Sequence, residues 1–114
     1  METVLFKYES LGSDYLICDT ARTALKLSPR VIRSICARNF GVGSMGLVAG
    51  SLTDSNRVEL RLYSPDGSET QPDERAASVF ASYLTDAGYL KNGRTPSVPA
   101  EQVGKIFLSD RFLG

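Results

Sequence analysis

This chain of 114 residues lacks the histidines and paired cysteines on which much acid–base and metal chemistry depends. There is no histidine, and the two cysteines, Cys18 and Cys36, lie far apart, each within an apolar stretch. A zinc site or a histidine-based triad therefore lacks its ligands or its base, and we expect no metal and no cofactor. We interpret the two cysteines as small buried hydrophobic residues in a reducing compartment, without a disulfide between them.

A glycine-rich run at residues 41–46 is the segment that could suggest phosphate binding. It follows a predicted helix and precedes the strand-like Leu47-Val48-Ala49, which reverses the strand–turn–helix order of a dinucleotide-binding loop. It also lacks the lysine of a phosphate-binding loop. Nucleotide binding is therefore not expected.

Three charged residues, Asp73-Glu74-Arg75, stand where a helix over residues 74–86 is predicted to begin. Either Asp73 or Thr70 can cap the free backbone N–H groups, and Glu74 suits a first helical turn. Gly88 marks the predicted end of this helix. Its predicted apolar stripe consists of Ala77, Phe80, Ala81 and Leu84.

A second helix is predicted to begin at Ser28-Pro29, because serine can cap a helix and proline suits its first position. Gly41 can end this helix in a left-handed conformation. Its apolar face is predicted to contain Val31, Ile32, Ile35 and Cys36. Its three arginines, Arg30, Arg33 and Arg38, are interpreted as a solvated face rather than an anion site.

Strands are predicted from apolar or alternating runs between these helices. Residues 3–8 and 15–18 form a hairpin around a turn at 9–14, and in residues 58–63 the apolar side chains alternate with polar ones. Further expected elements are a turn at 54–56, a turn at 65–67, a short strand within 68–71, a loop over 91–101 and a last strand at 103–108. The pattern predicts an α+β domain with a mainly antiparallel sheet packed on two main helices.

Composition favours one ordinary folded domain over residues 1–114. Hydrophobic residues make up 42% and charged residues 23%, and the formal net charge is zero. Nothing in this balance indicates a nucleic-acid partner or an anionic membrane surface. No window approaches the ~18 apolar residues of a membrane helix, so we expect a cytoplasmic protein.

The order of these motifs over about residues 4–90 resembles that of diaminopimelate epimerases. Residues 6–15 are similar to the opening hairpin of that family, with its lysine and its Gly-x-Gly-Asn-Asp-Phe. Residues 35–47 resemble the run Arg-His-Phe-Gly-Val-Gly-Ala-Asp-Gly-Leu, and residues 62–69 resemble Phe-Asn-Ala-Asp-Gly-Ser-Glu. The family fold has two similar α+β domains facing each other across a cleft, so the resemblance implies that this chain is one half domain.

This sequence departs from the family at the positions that carry catalysis and substrate binding. The family has a Cys-Gly-Asn-Gly motif, in which the cysteine moves the α-proton of the substrate and the backbone amides receive the substrate carboxylate. In this chain the motif corresponds to residues 73–76, which begin with Asp73. Aspartate, with an ordinary pKa of about 4, is a weak base for a carbon acid. Two substrate-binding asparagines correspond to Ser13 and Ser64, and an aspartate corresponds to Met45. The resemblance thus implies a fold kept without its catalytic residues.

The leading hypothesis is a non-catalytic protein-binding or inhibitory module, for which a phage-encoded inhibitor of a host system such as CRISPR is one example. Its partner is an unidentified protein or, in a two-fold homodimer, a second copy. The binding residues are predicted to be Leu11, Ser13, Met45, Ser64, Asp73, Glu74 and Arg75. The alternative is an amino-acid epimerase or isomerase that works only as a dimer or with a second subunit, with Asp73 as its acid/base group. A small-molecule sensor using the former cleft is a third interpretation.

Overall fold

The structure, a computed structural model, describes residues 3–10, 12–23, 26–39, 44–53, 57–89 and 101–108. These ranges form six strands and two helices. In chain order they are β1 (Thr3–Ser10), β2 (Ser13–Asp19), α1 (Pro29–Asn39), β3 (Ser44–Leu52), β4 (Val58–Tyr63), β5 (Glu69–Thr70), α2 (Glu74–Asp86) and β6 (Glu101–Leu108). The α+β class is confirmed.

The described strands form one sheet in the order β5-β4-β3-β2-β1-β6. The β2–β3 pair is parallel, and every other neighbouring pair is antiparallel. A parallel pair needs a crossover connection, and α1 lies in that connection between β2 and β3. The sheet is therefore mainly antiparallel, as predicted, and the predicted last strand pairs with β1.

Each face of the sheet is covered by one helix, so two hydrophobic clusters form. The α1 cluster contains Leu5, Leu16, Cys18, Ile32, Ile35, Cys36, Leu47, Ala49 and Tyr63. The α2 cluster contains Tyr8, Tyr15, Ile17, Val48, Leu62, Ala76, Val79, Phe80, Tyr83 and Leu84. Because β2 is buried on both faces, residues 15–18 form an uninterrupted apolar run rather than an alternating one.

Helix α1 begins as predicted. The Ser28 hydroxyl accepts a hydrogen bond from the Val31 N–H at 3.2 Å, which is the geometry of an N-cap. Ile32 and Ile35 are fully buried and Cys36 nearly so. The predicted terminator Gly41 and the turn at 54–56 lie outside the described residues. Arg30 and Arg33 are exposed.

Helix α2 has the predicted bounds and a hydrogen-bonded cap at each end. Asp73 is the N-cap, and the other candidate, Thr70, lies in β5. At the C-terminal end Gly88 has φ +88°, and the Tyr89 N–H donates to the Leu84 carbonyl at 2.9 Å. This pattern is a Schellman motif, which glycine favours because it lacks a Cβ.

The predicted apolar stripe of α2 is partly wrong. Phe80 and Leu84 are buried, but Ala77 is exposed and Ala81 is half-buried. The buried positions of the helix are Ala76, Ser78, Val79, Phe80, Tyr83 and Leu84. The sheet contacts the helix on a face rotated by one residue from the predicted one, because Ala76 and Tyr83 also point inward.

Two strand predictions need correction. The hairpin turn predicted at 9–14 is shorter, because Ser10 pairs with Ser13 and Gly12 takes φ +79°. Strand β4 does not have one buried and one polar face. Val58 is 48% exposed, whereas Tyr63 at the other end is buried against α1, so burial changes along the strand rather than across it.

The predicted turn at 65–67 forms and contacts the start of α1. The Asp66 carboxylate accepts hydrogen bonds from the N–H and the hydroxyl of Ser68, at 2.9 and 2.7 Å, and these bonds lower the pKa of Asp66. Gly67 has φ +96° and lies so close to the backbone of Pro29 that a Cβ would overlap it. The short strand predicted within 68–71 is confirmed as β5.

The loop predicted at 91–101 lies outside the described residues except for Glu101, which begins β6. Neither described helix has the length and hydropathy needed to cross a membrane.

Candidate functional site

The sheet topology brings the start of α2 to one end of the sheet. Strands β2 and β3 begin at this end because they are parallel, and β4 ends there because it is antiparallel to β3. Tyr15 pairs with Gly46, and a Cβ at Gly46 would lie 3.4 Å from the Cα of Ser64. We call the group formed by Ser13, Tyr15, Asp73 and Arg75 the α2 N-terminal site.

Asp73 uses its carboxylate to cap its own helix. Its Oδ1 accepts the Ala76 N–H at 2.8 Å, and its backbone carbonyl accepts the Ala77 N–H at 3.1 Å. A helix N-terminus attracts anions through such free N–H groups and the helix dipole. In this chain the Asp73 carboxylate itself accepts a hydrogen bond from one of these N–H groups.

Arg75 connects the helix to the opening hairpin. Its Nη1 donates to the Ser13 hydroxyl at 3.2 Å across 62 positions of sequence, and both side chains are half-buried. The structure thus brings together two of the predicted site residues.

Tyr15 is the residue at this site that sequence reasoning missed. It is 1% exposed, and its hydroxyl has no hydrogen-bond partner among the described residues. Burial raises the pKa of Tyr15, as does the negative charge of Asp73, while Arg75 opposes this shift. The phenol therefore remains protonated and lies close to both charges. A signal was present, since this position holds phenylalanine in the family motif that the hairpin resembles.

The other predicted site residues are less closely involved. Glu74 is exposed in the first turn of α2. Ser64 is half-buried, and its backbone holds the following turn by donating to the Ser68 carbonyl at 2.8 Å and accepting from the Gly67 N–H at 2.9 Å. Leu11 lies outside the described residues. Met45 lies in β3, but its side chain is outside the described part of the chain.

A second polar cluster lies at the opposite end of β2. Asp19 is 2% exposed, and its Oδ2 accepts hydrogen bonds from the hydroxyls of Tyr83 at 2.6 Å and Tyr89 at 2.8 Å. Its Oδ1 accepts the Ala21 N–H at 3.0 Å, and Arg22 lies 3.9 Å from Oδ2. This cluster fastens the end of α2 to the sheet, which is a structural role.

The cysteines contribute no reactive thiol. Cys18 and Cys36 are buried, as predicted, and both are free. Burial raises the pKa of Cys18 to about 12 and that of Cys36 to about 11, so neither forms the thiolate that a cysteine base requires. Within the ranges that the structure describes, no group of three or more Cys, Asp or Glu residues is placed to hold a metal ion.

Taken together, the α2 N-terminal site offers a neutral phenol, a guanidinium and a hydroxyl beside a carboxylate that is already hydrogen-bonded. These groups can donate hydrogen bonds to an acceptor.

Curated relatives of this chain are diaminopimelate epimerases, although no family model matches the sequence. Diaminopimelate epimerase 2 of Nostoc sp. is 39% identical over 86 residues, which are 75% of this chain and 30% of that protein. The Pelotomaculum thermopropionicum enzyme is 33% identical over 77% of this chain and 32% of its own length. The Leptospira biflexa enzyme is 28% identical over 90% and 35%.

The chain therefore spans about a third of the length of these curated relatives, with values of 30% to 35%. The likeness agrees with the α+β fold. The chain belongs to the diaminopimelate-epimerase-like family.

Proposed function

We propose that this chain is a non-catalytic epimerase-like domain that acts by binding another protein. The observation that carries the proposal is the Asp73 carboxylate, which hydrogen-bonds the Ala76 N–H at the start of α2. That position aligns with the catalytic cysteine of the family, and the N–H groups beside it are those that would receive a substrate carboxylate. A carboxylate placed there supplies a weak base and repels an anionic ligand.

The surroundings of Asp73 support the same conclusion. Glu74 adds a second exposed negative charge in the first turn, and Arg75 is engaged with Ser13 at 3.2 Å. Of the positions that differ from the family, Ser13 and Asp73 are thus hydrogen-bonded within the chain, and Glu74 repels an anionic substrate. The same polar surface, with its exposed acids and its guanidinium, suits a complementary protein surface. An inhibitor of a host system, such as a phage-encoded inhibitor of a CRISPR complex, is one kind of protein that would use it.

The alternative function is an epimerase that is active only as a dimer or with a second subunit. The names of the relatives favour it. In this alternative Asp73 is the acid/base group.

Proton exchange separates the two functions. The purified protein is incubated with diaminopimelate in D₂O, and loss of the α-proton is followed by NMR, with the Nostoc relative as the positive control. We expect no exchange above the buffer background for the wild type, for Asp73→Ala or for Asp73→Cys. Exchange by the wild type that disappears in Asp73→Ala would contradict the proposal and establish the epimerase.

Binding is tested by pull-down from cells of the native host, with light scattering of the purified chain. We expect a stoichiometric protein partner that is captured by the wild type and lost in Arg75→Glu. Arg30→Glu is the matched control, because Arg30 is exposed on α1, away from the α2 N-terminal site. Capture that is equal in both variants would remove this site from the interface, and capture of no partner would oppose a binding module.

A further inference from the structure

Strand β4 has a free outer edge along most of its length. β5 pairs only with Leu62 and Tyr63, so residues 58–61 have no strand beside them on that side within the described part of the chain. An unpaired edge presents backbone N–H and C=O groups that can hydrogen-bond another strand. Val58, on this edge, is 48% exposed.

An open groove of about 740 Å³ lies over β4 and its inner neighbour β3. Part of its wall comes from β4 itself, through Glu59, Leu60, Arg61 and Tyr63. Thr20, Lys26, Leu27, Ala49 and Gly50 complete the lining. Glu59 and Arg61 therefore border open space rather than packed side chains.

The side chains along the edge alternate in a defined order. Arg57, Glu59 and Arg61 are exposed and fall on one face, since successive residues of a strand point to opposite faces. Val58 and Leu60 fall on the other face, where Leu60 packs against the α2 cluster. A neighbouring strand would thus face a positive, a negative and a positive side chain in turn, with an apolar side chain between successive charges.

We propose that residues 57–61 bind an extended segment of a partner protein as an added antiparallel strand, and that this segment alternates acidic, apolar, basic, apolar, acidic. Residues directly opposite each other in an antiparallel pair interact, so opposite charges stabilise the pairing and like charges destabilise it. Backbone hydrogen bonds give such strand addition its affinity, and the facing side chains give its specificity. The inference rests on the proposed protein-binding function and assigns the chemistry of the partner.

The same charges disfavour pairing with a second copy of this chain in the register that uses all of residues 57–61. Two-fold pairing centred on Glu59 would place Glu59 opposite its own equivalent and Arg57 opposite Arg61 of the other copy. Moving the centre to Leu60 would place Val58 opposite Leu62, whose outer side already pairs with Thr70. A register centred on Val58 would place Arg57 opposite Glu59, but among the described residues it pairs only 57–59, so a strand of different sequence can use more of this edge.

Two fluorescent peptides test the proposal on the full chain. The matched peptide contains Glu-Val-Lys-Val-Glu, and the control contains Lys-Val-Glu-Val-Lys, each with the same flanking serines. By fluorescence anisotropy we expect the matched peptide to bind about tenfold more tightly, since three favourable pairs replace three unfavourable ones. In the triple variant R57E/E59K/R61E, which changes only exposed side chains, the preference should reverse.

Amide hydrogen exchange gives an independent measurement in the unmodified protein. We expect the matched peptide to slow exchange at alternate residues of 58–61, as strand addition requires. Equal affinity for both peptides, an unchanged preference in the triple variant, or binding without protection of this edge would overturn the proposal. If the only role of these charges is to prevent aggregation through the strand edge, neither peptide will bind, and that result would also overturn the proposal. If the wild type still captured a partner that Arg75→Glu did not, the proposed function would stand although this inference had failed.

Discussion

At the scale of single residues, two aspartates show how surroundings determine what a carboxylate does. Asp73 is exposed and bonds the N-terminal turn of its own helix. Asp19 is buried and accepts hydrogen bonds from two tyrosines that lie 64 and 70 positions away. Both carboxylates make charge-assisted hydrogen bonds, but loss of Asp19 would leave buried hydroxyls without an acceptor, so the buried aspartate contributes more to stability.

Asp19→Ala is expected to lower the free energy of unfolding by about 3 kcal/mol, because the buried Tyr83 hydroxyl would lose its acceptor. Asp19→Asn keeps an acceptor oxygen and should cost about half as much. Urea denaturation followed by circular dichroism measures both. Equal losses for the two variants would mean that the tyrosine hydrogen bonds do not account for the stability.

The sequence predicts the role of Asp73 but not that of Asp19 or Tyr15, for a physical reason. A helix cap is formed within three residues, so the local pattern contains all of it. The partners of Asp19 lie on a helix and a turn far along the chain, and the environment of Tyr15 depends on Asp73 and Arg75. Which distant residues meet is set by the packing of α2 on the sheet.

At the scale of elements, Gly46 sets how closely β3 approaches the end of β4. Its φ is +130°, and a Cβ there would overlap the Tyr63 carbonyl oxygen. Gly12, in the hairpin turn, also has a positive φ of +79°, but nothing lies within 4 Å of where its Cβ would be. A substitution at Gly12 therefore meets backbone strain alone, whereas a substitution at Gly46 meets both backbone strain and steric overlap.

Gly46→Ala is expected to cost more than about 4 kcal/mol or to prevent folding, because both the conformation and the space exclude a side chain. Gly12→Ala should cost only about 1 kcal/mol, the penalty of a left-handed conformation. Thermal unfolding of the two variants provides the comparison. A mild effect at Gly46 would show that β3 and β4 can separate at this end without loss of the fold.

Most elements follow from local sequence, whereas their burial does not. Both helices begin at the predicted caps, because Ser28 and Asp73 are recognisable by type and position. The burial of β4 was predicted incorrectly, since its outer residues are exposed where β5 and α1 do not reach them. Alternation along a strand indicates its faces, but the length of the neighbouring elements decides which part is covered.

At the scale of the whole molecule, the α2 cluster encloses the hydroxyls of several tyrosines. Burial raises the pKa of Tyr8, Tyr15 and Tyr83, and hydrogen bonds to Asp86 and Asp19 add to the shift for Tyr8 and Tyr83. The folded state thus favours neutral phenols. Their contribution to stability is complete below the ordinary tyrosine pKa of about 10 and is lost as the pH rises above it.

We expect the free energy of unfolding to fall as the pH rises above about 10, by at most about 1.4 kcal/mol per pH unit for each tyrosine that stays protonated in the folded state. Tyr8→Phe should reduce this slope, because one raised pKa is removed and its acceptor, Asp86, is exposed. Urea titrations at a series of alkaline pH values measure the slope. An unchanged slope in Tyr8→Phe would assign the alkaline loss to other groups.

The pairing of β6 with β1 has a consequence for synthesis on the ribosome. Val4 pairs with Phe107, so the second strand needed to enclose β1 is translated about a hundred residues after it. Until then β1 is an edge strand, and the pairing it can form is its hairpin with β2. The nascent chain therefore exposes a strand edge between the synthesis of β1 and that of β6, which is when a chaperone would recognise it.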